Sequence, residues 1–335
     1  MFIPEPSADR WMYPANSTPG TRPQASTFSA LPSSEGVDDR FGQFLIGFDT
    51  AAAGIPAGMG AANYDISSIV LTASISQDRL FLYDPTPDDW STYGPFALQD
   101  EDAGRPLELH GVGFRNDFNA ISFSENSLFG GAGISERNAF TAGFDAVGVI
   151  RDVSNNVTEG FDPLPWATGQ IDTVETGQAV PVDTVVRFTI DLTIPGVANH
   201  LREGLNSGYV WLALSSLHPA IQQGGGFVAY YAKEDPVHQL FGDAAPTLGV
   251  SYSLASAVPV PEFTSFLRNA DGLVSIEFLG LPGFSYVMEA SPDLTIDSWK
   301  SVGTYSSTTP TTFNWQEASP AGKRFFRISR TADTQ

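Results

Sequence analysis

Alternation of apolar and polar residues at every second position recurs along this 335-residue chain and constrains its fold more than any other feature. The longest case is 186–194, where Val, Phe, Ile, Leu and Ile alternate with Arg, Thr, Asp and Thr. Similar patterns cover 44–48, 69–75 and 248–254. Because successive strand side chains point to opposite faces, these segments predict half-buried β-strands. The run 209–214 is apolar throughout, which predicts a central strand covered on both faces.

Helical spacing is found in one segment, where Val197, Leu201 and Leu205 are four positions apart. Pro195 precedes these residues and Gly208 follows them, as is usual at helix ends. The chain has no repeated strand–helix–strand rhythm, which argues against a parallel α/β fold. The pattern therefore predicts an all-β protein, with a jelly-roll-like β-sandwich that carries long loops and one short helix.

A domain boundary is predicted at residues 255–261, a stretch of small residues with two prolines. We predict an acidic jelly-roll-like domain at 1–256, a linker at 257–261, and a small Ig-like or fibronectin-III-like β-sandwich at 262–331. The chain has 38 acidic and 17 basic residues. Eight acidic and six basic residues lie from position 259 onward, which leaves 30 acidic against 11 basic residues before it. The acidity therefore belongs to the first domain.

This charge balance limits the partners of the protein. A net charge of −21 disfavours nucleic acid and anionic membrane surfaces, which bind Lys and Arg. The absence of cysteine excludes disulfides and thiolate chemistry. No stretch reaches the 18 apolar residues of a membrane-spanning helix, so we expect no membrane insertion. The first residues do not form a signal peptide in the chain as given.

Acidic residues are dense in the predicted loop between positions 84 and 102. Calcium takes six to eight oxygen ligands, and flexible loops can supply them. The spacing after Asp84 is not that of an EF-hand, since the required Gly and Glu are missing. The candidate ligands are Asp84, Asp88, Asp89, Asp100 and Asp102. The alternative interpretation is that these carboxylates are solvated turn residues without an ion.

Several aromatic residues lie in polar, loop-like sequence contexts. Flat rings stack on the C–H faces of sugars, while neighbouring Arg and Asp side chains bond the hydroxyl groups. The candidate ligand-binding residues are Trp11, Tyr13, Arg22, Trp90, Tyr93 and Trp166. The alternative interpretation is that these rings close the ends of the sandwich.

Catalytic signatures are absent from the sequence. It contains no G-x-S-x-G, no H-E-x-x-H and no phosphate-binding loop. A carboxylate pair of the glycosidase type cannot be selected among 38 acids, so a hydrolase or lyase stays open. The sequence thus favours a non-catalytic protein and leaves enzymatic activity undecided.

The C-terminal segment, residues 262–330, resembles a small module found at the ends of secreted proteins of Verrucomicrobia and Planctomycetes. The residues that carry the resemblance are 271–272, 280–283, Tyr286, 289–294, Trp299 and 324–328. The resemblance implies a secreted or cell-surface bacterial protein.

The first part is similar to DNRLRE-type β-sandwich modules, which are related to certain carbohydrate-binding modules. The similarity is carried by residues 9–14, Arg22, Gln43–Asp49, 66–71, Tyr209–Ser215 and 246–252. It implies carbohydrate binding. Together with the aromatic and acidic loops and the lack of catalytic motifs, it predicts a secreted, non-catalytic protein that binds polysaccharide, a surface glycan or matrix, with calcium as a candidate cofactor. The alternative function is a structural, self-associating protein of the cell surface.

Overall fold

The computed structural model describes residues 1–14, 16–30, 37–93, 102–131, 133–220, 226–242, 244–254, 261–269, 272–280, 284–306, 311–318 and 323–332. The protein is all-β and its sheets are antiparallel. It divides into two compact units, Met1–Ala257 (unit 1) and Val258–Gln335 (unit 2). Residues 257–260 of the predicted linker lie outside the described part of the chain.

Unit 1 holds thirteen of the strands and all three of the α-helices that the structure describes. In chain order they are β1 (Phe2–Ile3), β2 (Ala8–Met12), β3 (Gln24–Thr27), β4 (Gln43–Asp49), β5 (Tyr64–Ser74), β6 (Glu108–Phe114), β7 (Ala139–Phe144), β8 (Ile150–Asp152), α1 (Asn156–Glu159), β9 (Ala167–Thr168), β10 (Val185–Thr189), α2 (Val197–Ser207), β11 (Tyr209–Ser215), β12 (Val228–Tyr231), α3 (Pro236–Phe241) and β13 (Thr247–Leu254).

Two sheets of unit 1 pack face to face as a β-sandwich. The smaller sheet has the order β1-β13-β5-β10, and the larger has the order β2-β4-β11-β6-β7-β8, with β9 also paired to β6. Alternate residues of both sheets meet in one core; among them are Phe44, Ile46, Phe48, Ile69, Leu71, Val186, Phe188, Leu212, Leu214, Leu248 and Val250. Their period-two spacing places these residues on the inner face of their sheet. β3 and β12 form a separate two-stranded sheet.

The outer face of the larger sheet is covered as well. Met12, Leu45, Trp211 and Ala213 point away from the sandwich core and pack with Phe123 from the segment between β6 and β7. β11 lies between β4 and β6 and is buried from its second residue onward. This two-sided burial explains why the sequence of β11 is apolar without alternation.

The predicted helix is α2, and Val197, Leu201 and Leu205 are fully buried in the sandwich core. Gly208 ends it in the left-handed conformation with φ 85°. The helices α1 and α3 have four and six residues, too few to produce a helical repeat in the sequence. In the described part of the chain, none of the helices is long and apolar enough to span a membrane.

Unit 2 is a second, smaller antiparallel β-sandwich. Its strands are β14 (Phe263–Arg268), β15 (Leu273–Gly280), β16 (Phe284–Ser291), β17 (Lys300–Ser306), β18 (Thr311–Ala318) and β19 (Phe325–Ala332). They form one sheet of order β14-β15-β18 and another of order β17-β16-β19. Ile276, Met288 and Trp315, from both sheets, share its core. The fold is thus that of two separate β-sandwich units.

Candidate functional site

Three of the predicted metal-binding carboxylates converge. One oxygen each from Asp84, Asp88 and Asp102 lies within 4.8 Å of the others. The Thr86 hydroxyl lies 2.6 Å from Asp84 Oδ1 and 2.7 Å from Asp102 Oδ2, and so connects two of the three. The Thr86 amide also donates to Asp84 Oδ1 at 2.8 Å. We call Asp84, Asp88 and Asp102 the loop cluster; their oxygens are of the type that hard cations such as calcium bind.

Within the described part of the chain, the Arg105 guanidinium is the positive charge beside the loop cluster. Arg105 Nη1 lies 2.8 Å from Asp88 Oδ2, and the same oxygen accepts a 3.0 Å hydrogen bond from the Tyr93 hydroxyl. The Arg105 guanidinium also lies 4.3 Å from the centre of the Tyr93 ring. Burial, and then the nearby negative charges of Glu108 and Asp88, raise the pKa of Tyr93, so its hydroxyl stays protonated and donates. Three carboxylates facing one guanidinium leave a net negative charge that a divalent cation could balance.

Asp89, another predicted metal ligand, is not in the loop cluster. Asp89 Oδ1 accepts hydrogen bonds from the Ser91 hydroxyl at 2.6 Å and the Ser91 amide at 2.8 Å, which lower the pKa of Asp89. It thereby supports the short 3₁₀ turn Trp90–Tyr93. Asp100 lies outside the described residues. The Trp90 amide is anchored to Asp162 Oδ1 at 2.8 Å, and its ring is half-buried.

Trp11 and Tyr13 come together at the edge of the larger sheet, where β2 is the last strand. Their rings stack with centroids 4.6 Å apart and planes inclined by 16°. Phe28 and Phe41 complete the group, with centroids 5.9 Å and 5.1 Å from that of Tyr13. All four rings are half-buried. We call Trp11, Tyr13, Phe28 and Phe41 the aromatic patch.

Polar groups border the aromatic patch. The exposed Arg22 guanidinium lies 5.9 Å from the Trp11 ring centre, and its Nε donates to Asn16 Oδ1 at 3.1 Å. The Trp11 indole N–H donates to the Ser26 carbonyl at 2.8 Å, which holds the ring in place. The structure thus brings Trp11, Tyr13 and Arg22 to one partly exposed surface, with hydrogen-bonding groups beside apolar rings.

Trp166 lies elsewhere and has no exposed surface. It is 0% exposed, in the sandwich core, and its ring stacks on Phe144 with centroids 5.8 Å apart. Gly111 faces the indole, where any Cβ would overlap the ring. This burial removes Trp166 from the predicted ligand-binding residues, because a ring that stacks on a ligand needs an accessible face.

A second acidic cluster was not predicted from the sequence. Carboxylate oxygens of Asp9, Glu125 and Glu234 lie within 4.8 Å of one another. Lys233 Nζ contacts Glu125 at 2.6 Å and forms an ion pair with Glu234, while its amide donates to Asp9 Oδ2 at 2.8 Å. The Lys233 ammonium therefore already supplies a cation here. These residues lie far apart in the chain, and no local spacing could have indicated the cluster.

A groove between β6 and β11 was also missed. Its volume is about 450 Å³, and it is lined by Phe114, Phe118, Tyr209, Trp211 and residues of α2. These aromatic residues lie in two segments about 90 positions apart, and they come together only because β6 pairs with β11. No local sequence pattern therefore indicated the groove.

No protein-family model matches the chain, and a search of curated proteins finds no relative. The fold and the side-chain geometry therefore define the class: a two-unit β-sandwich protein with an aromatic patch, an acidic loop cluster and an aromatic groove in its first unit.

Proposed function

We propose that the protein is a non-catalytic, extracellular binding protein that recognises carbohydrate on a polysaccharide, surface glycan or matrix. The observation that carries this proposal is the aromatic patch bordered by Arg22 and Asn16. Aromatic rings offer an apolar surface to the C–H face of a sugar, and an exposed guanidinium donates hydrogen bonds to hydroxyl groups. A sugar ring has apolar C–H faces and hydroxyl groups around its edge, so its binding needs both the aromatic surface and the hydrogen-bonding groups beside it.

Calcium is the second part of the proposal. The loop cluster offers carboxylates from positions 84, 88 and 102, and its net negative charge suits a divalent cation. Bound calcium would hold the ends of the 84–102 segment together and fix Tyr93 and Arg105 through Asp88. In this proposal calcium supports the fold around the sugar-binding surface and takes no part in a reaction.

An extracellular location rests on the resemblance of residues 262–330 to modules of secreted bacterial proteins. The acidity of unit 1 supports binding of a neutral polysaccharide outside the cell. A strongly negative domain stays soluble and repels anionic partners such as nucleic acid.

A glycan array probed with the full chain, with calcium and with a chelator, tests the proposed function. We expect binding to at least one polysaccharide, and Trp11→Ala should weaken it at least tenfold because the variant removes the indole ring that stacks on Tyr13 in the aromatic patch. Trp299→Ala is the matched control, because Trp299 is also half-buried with a guanidinium, that of Arg327, 4.3 Å from its ring, but belongs to unit 2.

Two results would contradict the proposal. One is an array without any bound glycan under both conditions. The other is equal binding by wild type, Trp11→Ala and Trp299→Ala, which would place recognition elsewhere. Light scattering over a range of concentrations completes the test, because growth of assemblies without glycan binding would favour the alternative of a self-associating surface protein.

A further inference from the structure

The groove of unit 1 arises where two neighbouring strands diverge. β6 and β11 pair from Ser215↔Glu108 to Leu212↔Gly111. Beyond that point β6 and β11 are no longer paired with each other in the described structure. Residues 112–114 of β6 pair only with β7, and residues 209–211 of β11 pair only with β4. The two strand ends 112–114 and 209–211 then form opposite walls of the groove of about 450 Å³. This volume falls in the range of roughly 300–1,000 Å³ that is usual for small-ligand sites.

One wall of the groove is aromatic and held rigidly. The rings of Tyr209 and Trp211 lie 5.5 Å apart, and Trp211 packs edge-on against the buried Phe123 at 5.5 Å. The Trp211 indole N–H donates to the Ala120 carbonyl at 2.9 Å. Phe118 packs on the same Phe123 ring at 5.6 Å and is itself half-buried. Fixed rings offer an apolar surface at little entropic cost to a ligand.

The polar groups of the groove carry no positive charge. Glu203 of α2 is exposed at the rim, and Asn119, Ser207 and His200 also line the groove. Asn119 Oδ1 accepts the amides of Ile121 at 2.9 Å and Ser122 at 3.0 Å, which orients its NH₂ group as a donor. Burial lowers the pKa of His200 to about 4, so the imidazole is neutral at pH 7.

We infer that the groove between β6 and β11 is a second carbohydrate site, which takes one or two rings of a neutral sugar at a chain end or in a short oligosaccharide. Trp211 is 3% exposed and supports the wall from behind its accessible surface, whereas Tyr209, Phe114 and Phe118 are half-buried. These three rings suit the face of a pyranose, and the Glu203 carboxylate accepts hydrogen bonds from hydroxyl groups. With Glu203 at the rim, a neutral His200 and neither Lys nor Arg among the described lining residues, uronic acids and sulfated sugars are disfavoured.

This inference rests on the proposed function and deepens it. The aromatic patch lies along the sheet edge, whereas the groove is bounded by strand ends, α2 and the 118–121 segment. A bounded groove selects short ligands, and two sites on one unit raise the avidity for a polysaccharide that reaches both.

Isothermal titration calorimetry with tetrasaccharides tests the inference. The neutral probes are cellotetraose, xylotetraose, mannotetraose, maltotetraose and tetra-N-acetylchitotetraose, and the anionic probe is tetragalacturonate. We expect one neutral probe to bind and tetragalacturonate not to bind. Glu203→Gln should weaken the neutral probe about tenfold, because an amide oxygen accepts weaker hydrogen bonds than a charged carboxylate does. Phe118→Leu should weaken it several-fold while filling much of the same volume.

Controls separate this inference from the proposed function. Glu175→Gln removes the same charge at an exposed position outside the groove lining and should leave affinity unchanged. Loss of binding in Trp11→Ala with none in Glu203→Gln and Phe118→Leu would overturn the groove site and leave the proposed function in place. Loss in the groove variants alone would support the groove and contradict recognition by the aromatic patch. No binding by any neutral probe, or preference for tetragalacturonate, would overturn the inference.

Discussion

Arg40 and Glu108 form an ion pair in the buried layer beyond the outer face of the larger sheet. Arg40 is 0% exposed and Glu108 4% exposed. The Arg40 Nε also donates to Asn156 Oδ1 at 2.9 Å, and its Nη1 donates to Ser215 Oγ at 3.1 Å. The pair therefore connects the chain before β4 to β6, β11 and α1. Burial alone would raise the pKa of Glu108, but the Arg40 charge and then the His110 imidazole, whose Nε2 lies 3.6 Å from Glu108 Oε2, lower it to about 2.

Removing one member of this pair should destabilise unit 1 strongly. Arg40→Met leaves the Glu108 carboxylate buried without its guanidinium, and the expected loss is about 3–5 kcal/mol of unfolding free energy. Urea unfolding followed by tryptophan fluorescence measures it. The double variant Arg40→Met with Glu108→Leu should recover part of the loss, since it leaves no buried charge. A single variant that costs under about 1 kcal/mol would show that the pair contributes little.

Acid should destabilise the protein through His218. Burial, and then the positive charge of Arg105, lower the pKa of His218 from 6.5 to about 3. Between these two pH values the imidazole is protonated in the unfolded chain but not in the folded protein. The contribution of His218 to the free energy of unfolding is therefore fully present above pH 6.5 and is lost as the pH decreases toward 3. His218→Phe keeps a flat ring against Phe81, which lies 5.2 Å away. We expect the melting temperature of this variant to fall less than that of wild type between pH 7 and pH 4.5. Parallel curves would contradict the prediction.

Sequence periodicity predicts β4, β5, β13 and α2 because it records which face of a local segment is buried. The strand predicted over 186–194 was too long, since β10 ends at Thr189. β10 alternates between exposed and buried residues as its sequence does. Arg40 and Glu108 are 68 positions apart, and no local pattern relates them. The groove likewise depends on where β6 and β11 stop pairing, which neither strand encodes alone. Trp166 follows a proline, and the sequence around it is typical of a loop. It is nevertheless buried, because the adjacent strand β9 pairs with β6 and because Gly111 of β6 has no side chain where the indole ring packs.

The Gly111–Trp166 contact gives a prediction about packing. A methyl group at position 111 would overlap the indole ring, and Trp166 is fully enclosed by Phe144 and the core. Gly111→Ala should therefore cost about 1–3 kcal/mol of unfolding free energy, as overpacked cores do. Gly249→Ala is the matched control, since it lies in β13 and a Cβ there meets only the Val70 carbonyl at 3.8 Å. Denaturant midpoints of the two variants compare them, and equal midpoints would contradict the predicted overlap.

Asp9 should make the protein less stable as the pH rises. Burial, and then the charge of Glu234, raise the pKa of Asp9 from 3.8 to about 8. A raised pKa means that the folded protein holds a proton that the unfolded chain has released. The contribution of this bound proton to the free energy of unfolding is fully present below about pH 4 and is lost as the pH rises through about 8. Asp9→Asn cannot ionise, so its melting temperature relative to wild type should increase from pH 6 to pH 9. The exposed Asp65→Asn is the control, and no relative change in Asp9→Asn would contradict the prediction.

Calcium should stabilise the protein through the loop cluster. A ligand that binds only the folded state adds about 2.7 kcal/mol at a concentration one hundred times its Kd. Differential scanning fluorimetry with calcium and with excess chelator should therefore show a higher melting temperature with calcium. Asp102→Asn removes one converging carboxylate at an exposed position and should reduce this difference. Asp172→Asn removes an exposed carboxylate outside the cluster and should preserve it. The same midpoint with calcium and with chelator in the wild type would reject a calcium site, and the three carboxylates would then be loop residues held by Thr86 and Arg105 without an ion.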